Sequence, residues 1–260
     1  MVLGVLVALL VAVVLWIVIG RERASELSDD QAVTEFRAAA DGAPESSSDL
    51  PGRPAAGVYA ATAVGTESIG IPGFDEELGP NAPVTVVHGE NGCFTFRVDL
   101  NSHHWRSWTL CPTDTADLSL VELESWSARK APGLDLETLT TYTCERPPDV
   151  RWQGAVAGST SSGACTGRSD MDDGVTRDIA EVEVLSPEAI TIDGQRIEAE
   201  RVRIDDTFSE AQTGYETGEW WFDPASGLPI RLSISSELQG GPSTYSEQFD
   251  LELTTLMPAT

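Results

Sequence analysis

The segment Cys93–Cys111, CFTFRVDLNSHHWRSWTLC, concentrates residues that could do chemistry. It contains two of the four cysteines and two of the three histidines of the 260-residue chain. A metal site, a catalytic pair and a disulfide-closed hairpin could each explain this grouping. A metal site would need further ligands, but only His88 remains, and neither H-E-x-x-H nor paired C-x-x-C spacing occurs. We therefore predict no metal site and expect His103 and His104 to be solvent-exposed turn residues.

A hairpin that turns at Ser102 and His103 accounts for the cysteines. Its register gives one apolar and one polar face. It also places Cys93 opposite Cys111, where a non-hydrogen-bonded antiparallel pair has a Cα separation that a disulfide tolerates. We predict this disulfide and, as the economical remaining pairing, one between Cys144 and Cys165. The predicted cross-strand neighbours are Phe94 with Leu110, Thr95 with Thr109, Phe96 with Trp108, and Arg97 with Ser107.

Other stretches give no catalytic candidate. GSTSSGAC contains several serines but does not match G-x-S-x-G, so we interpret it as a flexible loop. SDMDDG, Ser169–Gly174, fails the calcium-loop pattern because Gly174 occupies a ligand position. Acid pairs such as Asp205 and Asp206 are too common in so acidic a chain to indicate a glycosidase. The sequence thus predicts no catalytic residue, no metal ligand and no cofactor.

The stretch WWFDPASGLPIRL predicts a tight hairpin turn. Asp223 can accept the turn hydrogen bond, and Gly227 supplies the left-handed residue that returns the chain. Pro229 on the returning strand indicates an edge strand or a bulge. The adjacent Trp220 and Trp221 point to opposite faces, so we expect one to be buried and the other to be an exposed candidate contact for a ligand.

Residues 1–20 predict a transmembrane anchor, because they are apolar or glycine after Met1 and have the length of a membrane-spanning helix. No cleavage site of small residues follows them. Arg21 and Arg23 directly after this run would place the domain in the cytoplasm by the positive-inside rule, whereas the cysteine pairing favours an extracytoplasmic domain. We expect the extracytoplasmic orientation; a longer N-terminus headed by arginine would remove the conflict.

Composition divides the rest of the chain. Residues 28–40 predict a juxtamembrane helix that begins with a capping box of Ser28 and Gln31. We interpret it as a solvated stalk helix, with docking onto the domain as the alternative. Residues 41–56 resemble a linker, and residues 57–260 alternate as strands without a long helical period. The Gly/Ser-rich interval 147–173 predicts a mobile loop or a seam between sub-domains.

Two features of the sequence resemble known families. An aromatic strand that ends in DPASGLPIRL, preceded by IDGQRIEAERVRI at Ile192–Ile204, is similar to the C-terminal part of the lipoprotein-carrier and mycobacterial lipoprotein half-barrel superfamily. The anchor, short helix, GRPAAGVYAATAVGTESI and four cysteines resemble single-pass membrane-anchored envelope proteins of high-GC Gram-positive bacteria. The first resemblance implies a mainly β fold whose curved antiparallel sheet, an open half-barrel, has a concave and often lipid-binding face.

These observations favour a non-enzymatic, membrane-anchored extracytoplasmic module that binds a lipid or another envelope component. A partner-binding sensor or regulatory ectodomain without a cavity, and a hydrolase with unidentified residues, are the alternatives. The net charge of -26 argues against nucleic acid as a partner, because phosphates are held by clustered Lys and Arg. The expected partners are the lipid bilayer, through residues 1–20, and a lipid, envelope component or protein.

Overall fold

The computed structural model describes residues 23–40, 52–71, 74–114, 117–131, 134–152, 154–170, 173–241 and 243–260. The helix and strands in these ranges are α1 Asp29–Ala40, β1 Gly57–Tyr59, β2 Ala61–Ser68, β3 Glu76–Leu78, β4 Val84–His88, β5 Phe94–Asn101, β6 His104–Cys111, β7 Leu118–Ala131, β8 Leu134–Arg146, β9 Asp149–Arg151, β10 Thr160–Ser169, β11 Thr176–Ile192, β12 Gln195–Glu210, β13 Gln212–Phe222, β14 Pro229–Gly240 and β15 Ser243–Leu253.

The strands form one antiparallel sheet in the order β1-β4-β5-β6-β7-β8-β10-β11-β12-β13-β14-β15-β2-β3, with β9 paired to β7. Most neighbours in the sheet are also neighbours in sequence, as expected for strands joined by hairpins. One pairing between strands far apart in sequence is that of β15 with β2, which joins residues 61–68 to residues 246–253.

Backbone hydrogen bonds also link the two ends of the sheet. In the segment between β3 and β4, Gly79 donates to Leu100 O on β5 at 2.9 Å, and Pro80 O accepts from Ala63 N on β2 at 2.9 Å. One short segment therefore contacts both β2 and β5, so the sheet must curl. The mainly β, curved antiparallel half-barrel predicted from the sequence is confirmed.

Alternation along the strands produces a packed interior at one end of the half-barrel. Phe222, Leu232 and Phe249 on adjacent strands are fully buried, and Trp108 packs edge-to-face against Trp220 with ring centroids 5.1 Å apart. Fully burying a side chain of this size stabilises a fold by about 1.5–3 kcal/mol. This end contains the main hydrophobic core, and the other end of the half-barrel is open.

The register predicted for the β5–β6 hairpin is confirmed at all four predicted pairs, and the chain turns at Ser102 and His103. Both predicted disulfides are present: Cys93 is bonded to Cys111, and Cys144 is bonded to Cys165. The second joins β8 to β10 through a directly opposed pair.

The turn after β13 also follows the sequence prediction. Asp223 Oδ1 accepts from Ala225 N at 3.2 Å, and Gly227 has φ 69°. Because β14 lies between two strands, the edge interpretation of Pro229 is wrong and the bulge is right: the pairing shifts register between Trp221 and Phe222.

The Gly/Ser-rich interval contains structure that the sequence analysis did not predict. Strand β10 covers GSTSSGAC from Thr160 onward and pairs with β8 on one side and β11 on the other. The flexible-loop interpretation is therefore wrong for this strand. Strands β9 and β10 both lie within the interval, and each is paired with a neighbouring strand of the sheet.

Helix α1 lies against the domain. Gln31 N donates to Ser28 Oγ at 3.2 Å and Ser28 N to Gln31 Oε1 at 3.0 Å, which confirms the capping box. Ala32 is buried, and just before the helix Ser25 and Ser102 exchange backbone and hydroxyl hydrogen bonds of 2.8 and 2.9 Å. The solvated-stalk interpretation is therefore wrong and the docked alternative holds.

The predicted anchor, residues 1–20, lies outside the described residues, as do residues 41–51 of the predicted linker. Within the ranges that the structure describes, no helix is both long enough and apolar enough to span a membrane.

Candidate functional site

A cavity of about 270 Å³ occupies the open end of the half-barrel. One part of its wall is apolar, and hydroxyl side chains on β7, β8, β10, β14 and β15 form another part. The apolar lining includes Ile69, Ile71, Trp108, Leu120, Leu123, Leu136, Ile204, Phe208, Trp220 and Leu238. The hydroxyl lining includes Ser125, Ser127, Thr138, Thr140, Ser169, Ser236 and Tyr245.

A row of five polar side chains crosses the sheet at this cavity, and four of them line the cavity wall. We call Asp206, Glu216, Ser236, Glu247 and Glu67 the acidic row. They lie directly opposite one another across the consecutive strands β12, β13, β14, β15 and β2. Like charges in directly opposed positions destabilise a sheet, so this arrangement needs compensating cations.

The compensating cations come from β6 and β7. His104 is fully buried between two carboxylates, with Nδ1 3.2 Å from Glu67 and Nε2 2.9 Å from Glu247. Arg106 contacts Glu247 at 2.9 Å and Glu216 at 2.8 Å, so Glu247 is shared by two cations.

Arg129 completes the network from β7. Its Nη2 lies 2.5 Å from Glu67 Oε2, and its Nη1 donates to Ala128 O at 2.7 Å. Glu67, Glu216 and Glu247 are therefore all neutralised by ion pairs inside the fold. Removing one partner of a buried ion pair typically costs about 3–5 kcal/mol, because the other charge is left unpaired.

The network changes the protonation of its members. Burial alone would lower the pKa of His104, but Glu67 and Glu247 outweigh it and raise this pKa to about 9. Burial would raise the pKa of Glu67, but His104 and Arg129 lower it to about 2. The pKa of Glu247 is likewise lowered, since Arg106 and His104 outweigh burial. These groups are charged at neutral pH.

Two further carboxyl groups behave differently. Among the described residues, neither Asp178 of β11 nor Asp206 forms an ion pair, although both line the cavity. Burial and then the charge of Glu216 raise the pKa of Asp178 to about 7. The pKa of Asp206 is also raised, by burial and then by Asp178 and Glu216. This side of the cavity thus has two carboxyl groups that no cation of the described residues pairs with.

Apart from atoms of the ion-paired Arg106, Arg129 and Glu247, three polar atoms of the cavity lining lack a hydrogen-bond partner among the described residues: Asp178 Oδ1, Ser236 Oγ and Tyr245 Oη. Asp178 and Ser236 are only 7% and 4% exposed. Buried polar atoms are nearly always satisfied in folded proteins, so three unsatisfied atoms facing one cavity indicate a place for a ligand or ordered water.

The two tryptophans proposed as ligand contacts lie on opposite faces of β13. Trp220 lines the cavity, whereas Trp221 lies on the other face of β13 between Arg201 and Arg231, whose guanidinium carbons are 5.0 and 5.4 Å from its ring centroid. Trp221 Nε1 donates to Glu188 at 3.0 Å. Both indoles are buried, so the expectation of one exposed tryptophan is wrong: arginine side chains cover the outer one.

The prediction of exposed histidines is also wrong. His104 is fully buried and His103 is 6% exposed. The turn lies under the docked segment at Ser25, and His104 begins β6 on its inner face. Among the described residues, no group of three or more His, Cys, Asp or Glu side chains is arranged to hold a metal ion.

The acidic row and the cations that compensate it were not predicted from the sequence. A usable signal exists in spacing, because Glu216 shares the parity of Trp220 and Phe222 on β13. His104 shares the parity of Trp108 on β6. No protein-family model, no curated protein and no solved structure matches the chain. The site must therefore be interpreted from its own geometry.

Proposed function

We propose that the chain is a membrane-anchored extracytoplasmic module whose cavity binds an amphiphilic ligand, a lipid or another component of the cell envelope. The observation that carries this proposal is the cavity itself. It has apolar walls, and unsatisfied polar atoms of Asp178, Ser236 and Tyr245 face into it. A mostly apolar cavity with a few converging polar groups is the usual form of a small-molecule site.

The shape of the interior supports ligand binding over a purely partner-binding domain. A domain that only presents a surface has no need of an open interior, and cavities of this kind remove packing contacts. The resemblance of the C-terminal segment to lipid-binding half-barrels also supports ligand binding.

The proposed location rests on residues 1–20 and on the two disulfides, because disulfides persist mainly outside the cytoplasm. A phosphatase that is active only outside the cytoplasm, fused after Thr260, should be active. A well-expressed but inactive fusion would contradict the extracytoplasmic location without affecting the cavity.

The binding proposal can be tested with a neutral apolar dye, N-phenyl-1-naphthylamine, whose fluorescence rises in apolar surroundings. The full chain, kept soluble by a non-ionic amphipathic polymer, should bind it saturably. Replacing Ser125, which lines the cavity from β7, with tryptophan should fill the space and abolish this binding.

The matched control is Glu124→Trp, which adds the same ring to the opposite face of the same strand. It should bind the dye as the wild type does. Equal dye binding by wild type and Ser125→Trp would locate the dye in the polymer or the N-terminal segment and would refute the cavity as the site. Mass spectrometry of lipophilic molecules that copurify with the wild type, but not with Ser125→Trp, would identify the natural ligand.

One observation favours a second candidate function, a hydrolase. A carboxyl group with a pKa of about 7, Asp178, faces a cavity beside other carboxylates, and shifted carboxyls of this kind serve as general acids. Turnover of chromogenic esters or glycosides that disappears in Asp178→Asn would establish that activity. No turnover across such a panel, with dye binding intact, would leave the binding function alone.

A further inference from the structure

The polar layer of the cavity holds more carboxyl groups than cations. Glu67, Glu216 and Glu247 of the acidic row are matched by His104, Arg106 and Arg129. Asp206 and the neighbouring Asp178 have no counterpart among the described residues. An unpaired buried charge is costly, so a structure with this excess favours either protonation or an incoming cation.

The excess lies beside open space and not within packed protein. Asp178 Oδ1 faces the cavity without a partner while its side chain is more than nine-tenths buried, and Ser236 Oγ does the same from β14. Phe208, directly opposite Asp178 across β11 and β12, belongs to the apolar wall. A group that enters here meets acceptors on one side and apolar side chains next to them.

We infer that the ligand is a cationic amphiphile whose protonated amine binds between Asp178 and Asp206 and whose hydrocarbon part packs on the apolar wall. This inference rests on the proposed binding function and specifies its ligand class. A primary ammonium group has three donors and no acceptor, which suits a site composed of carboxylate and hydroxyl acceptors. The strongly negative chain also attracts cations to the site.

Binding of such a ligand depends on pH, because the amine binds the ionised carboxylate. The pKa of Asp178, about 7, reflects burial and the charge of Glu216 on β13. Asp206 on β12 and Tyr142 on β8 also interact with Asp178, and Arg106 on β6 interacts with both of them. On β10 the opposed residue is the disulfide-bonded Cys165.

The size of the pH effect follows from the ionised fraction of Asp178. With a pKa of about 7, this fraction rises about tenfold between pH 6 and pH 8. An alkylammonium resembles lysine, with a pKa near 10.4, and stays charged throughout this range. Affinity for the amine should therefore rise about tenfold, while affinity for a neutral alcohol of equal length should stay constant.

The test is displacement of N-phenyl-1-naphthylamine from the full chain by octylamine, octanol and octanoate. At pH 8 octylamine should bind at least about tenfold more tightly than octanol, and octanoate should bind least. Asp178→Asn should remove the preference for the amine and its pH dependence, while octanol still displaces the dye. Asp250→Asn, which removes an exposed charge on the outer face of β15, should retain both.

The outcomes separate the two proposals. Dye binding in the cavity with equal displacement by octylamine and octanol at every pH, or with octanoate tightest, overturns the cation inference but leaves the binding function. The absence of dye binding in the cavity overturns the binding function itself. The wild-type pH profile does not need a variant, so the inference is still decided if Asp178→Asn fails to fold.

Discussion

Raising the pH should destabilise the fold by neutralising a histidine that is sealed inside it. His104 is fully buried, and its two ring nitrogens contact Glu67 and Glu247. These carboxylates raise its pKa from an unfolded value of 6.5 to about 9. Because the folded pKa is the higher one, the stabilisation is present in full below pH 6.5. It is lost as the pH rises through 9.

The difference between the two pKa values corresponds to about 3 kcal/mol, since each unit is worth about 1.4 kcal/mol. About 2 kcal/mol of this should disappear between pH 7.5 and pH 9.5. Asp178 titrates below this window, with a pKa of about 7, so its contribution is small there. The free energy of unfolding, measured by urea titration of the full chain at both pH values, gives the loss directly.

The variant His104→Gln keeps a polar side chain of similar size but cannot carry the charge. It should lower the free energy of unfolding by about 3–5 kcal/mol at pH 6, because Glu67 and Glu247 lose a cation. The fall of about 2 kcal/mol that His104 causes between pH 7.5 and pH 9.5 should be missing from this variant. His88→Gln, at a half-buried position on β4, controls for removal of a histidine and should keep the fall. An equal fall in the wild type and His104→Gln would refute the buried ion pairs as its cause.

Two further predictions concern β13 and the turn that follows it. Gly227→Val places a β-branched residue at positive φ, where its Cβ would lie 2.9 Å from Leu118. It should lower the free energy of unfolding by about 1–3 kcal/mol, measured by thermal or urea unfolding. Gly194→Val, at a position with similar φ but open space, should lower it less. A larger loss in Gly194→Val would contradict the role of Leu118. Dye binding should change tryptophan fluorescence in Trp221→Phe but less in Trp220→Phe, because Trp220 lines the cavity and Trp221 does not; equal responses would argue against this.

The hairpins and their registers were predictable from sequence. The burial of His104 was also predictable, although the sequence was interpreted otherwise. The β5–β6 register places Trp108 and Leu110 on the apolar face, and His104 and Arg106 have the same parity. Parity alone therefore assigns both to the interior. His104 was predicted to be exposed because it lies next to a turn, although the alternation of side chains along β6 indicated burial.

The acidic row could not be read from the sequence in the same way. Each member shares the parity of apolar residues on its own strand, as Glu247 does with Phe249, which marks a polar side chain on an inner face. Whether Glu247 lies beside Glu67 depends on the pairing of β15 with β2, which no local pattern specifies. The cavity has the same origin, because it exists only once the distant strands have closed the sheet.

The pairing of β15 with β2 also has a consequence for the order of folding. It joins residues 61–68 to residues 246–253. Strands β4 to β8 and β10 to β15, in contrast, can each pair with the strand next to them in sequence. Contacts so distant in sequence form slowly, because the entropy of closing the chain must be lost before the contact is gained. Glu67 and Glu247 can therefore enclose His104 only after the last strand has been synthesised. Until then the polypeptide has an open sheet with unpaired edges, a state in which strand-to-strand aggregation competes with folding.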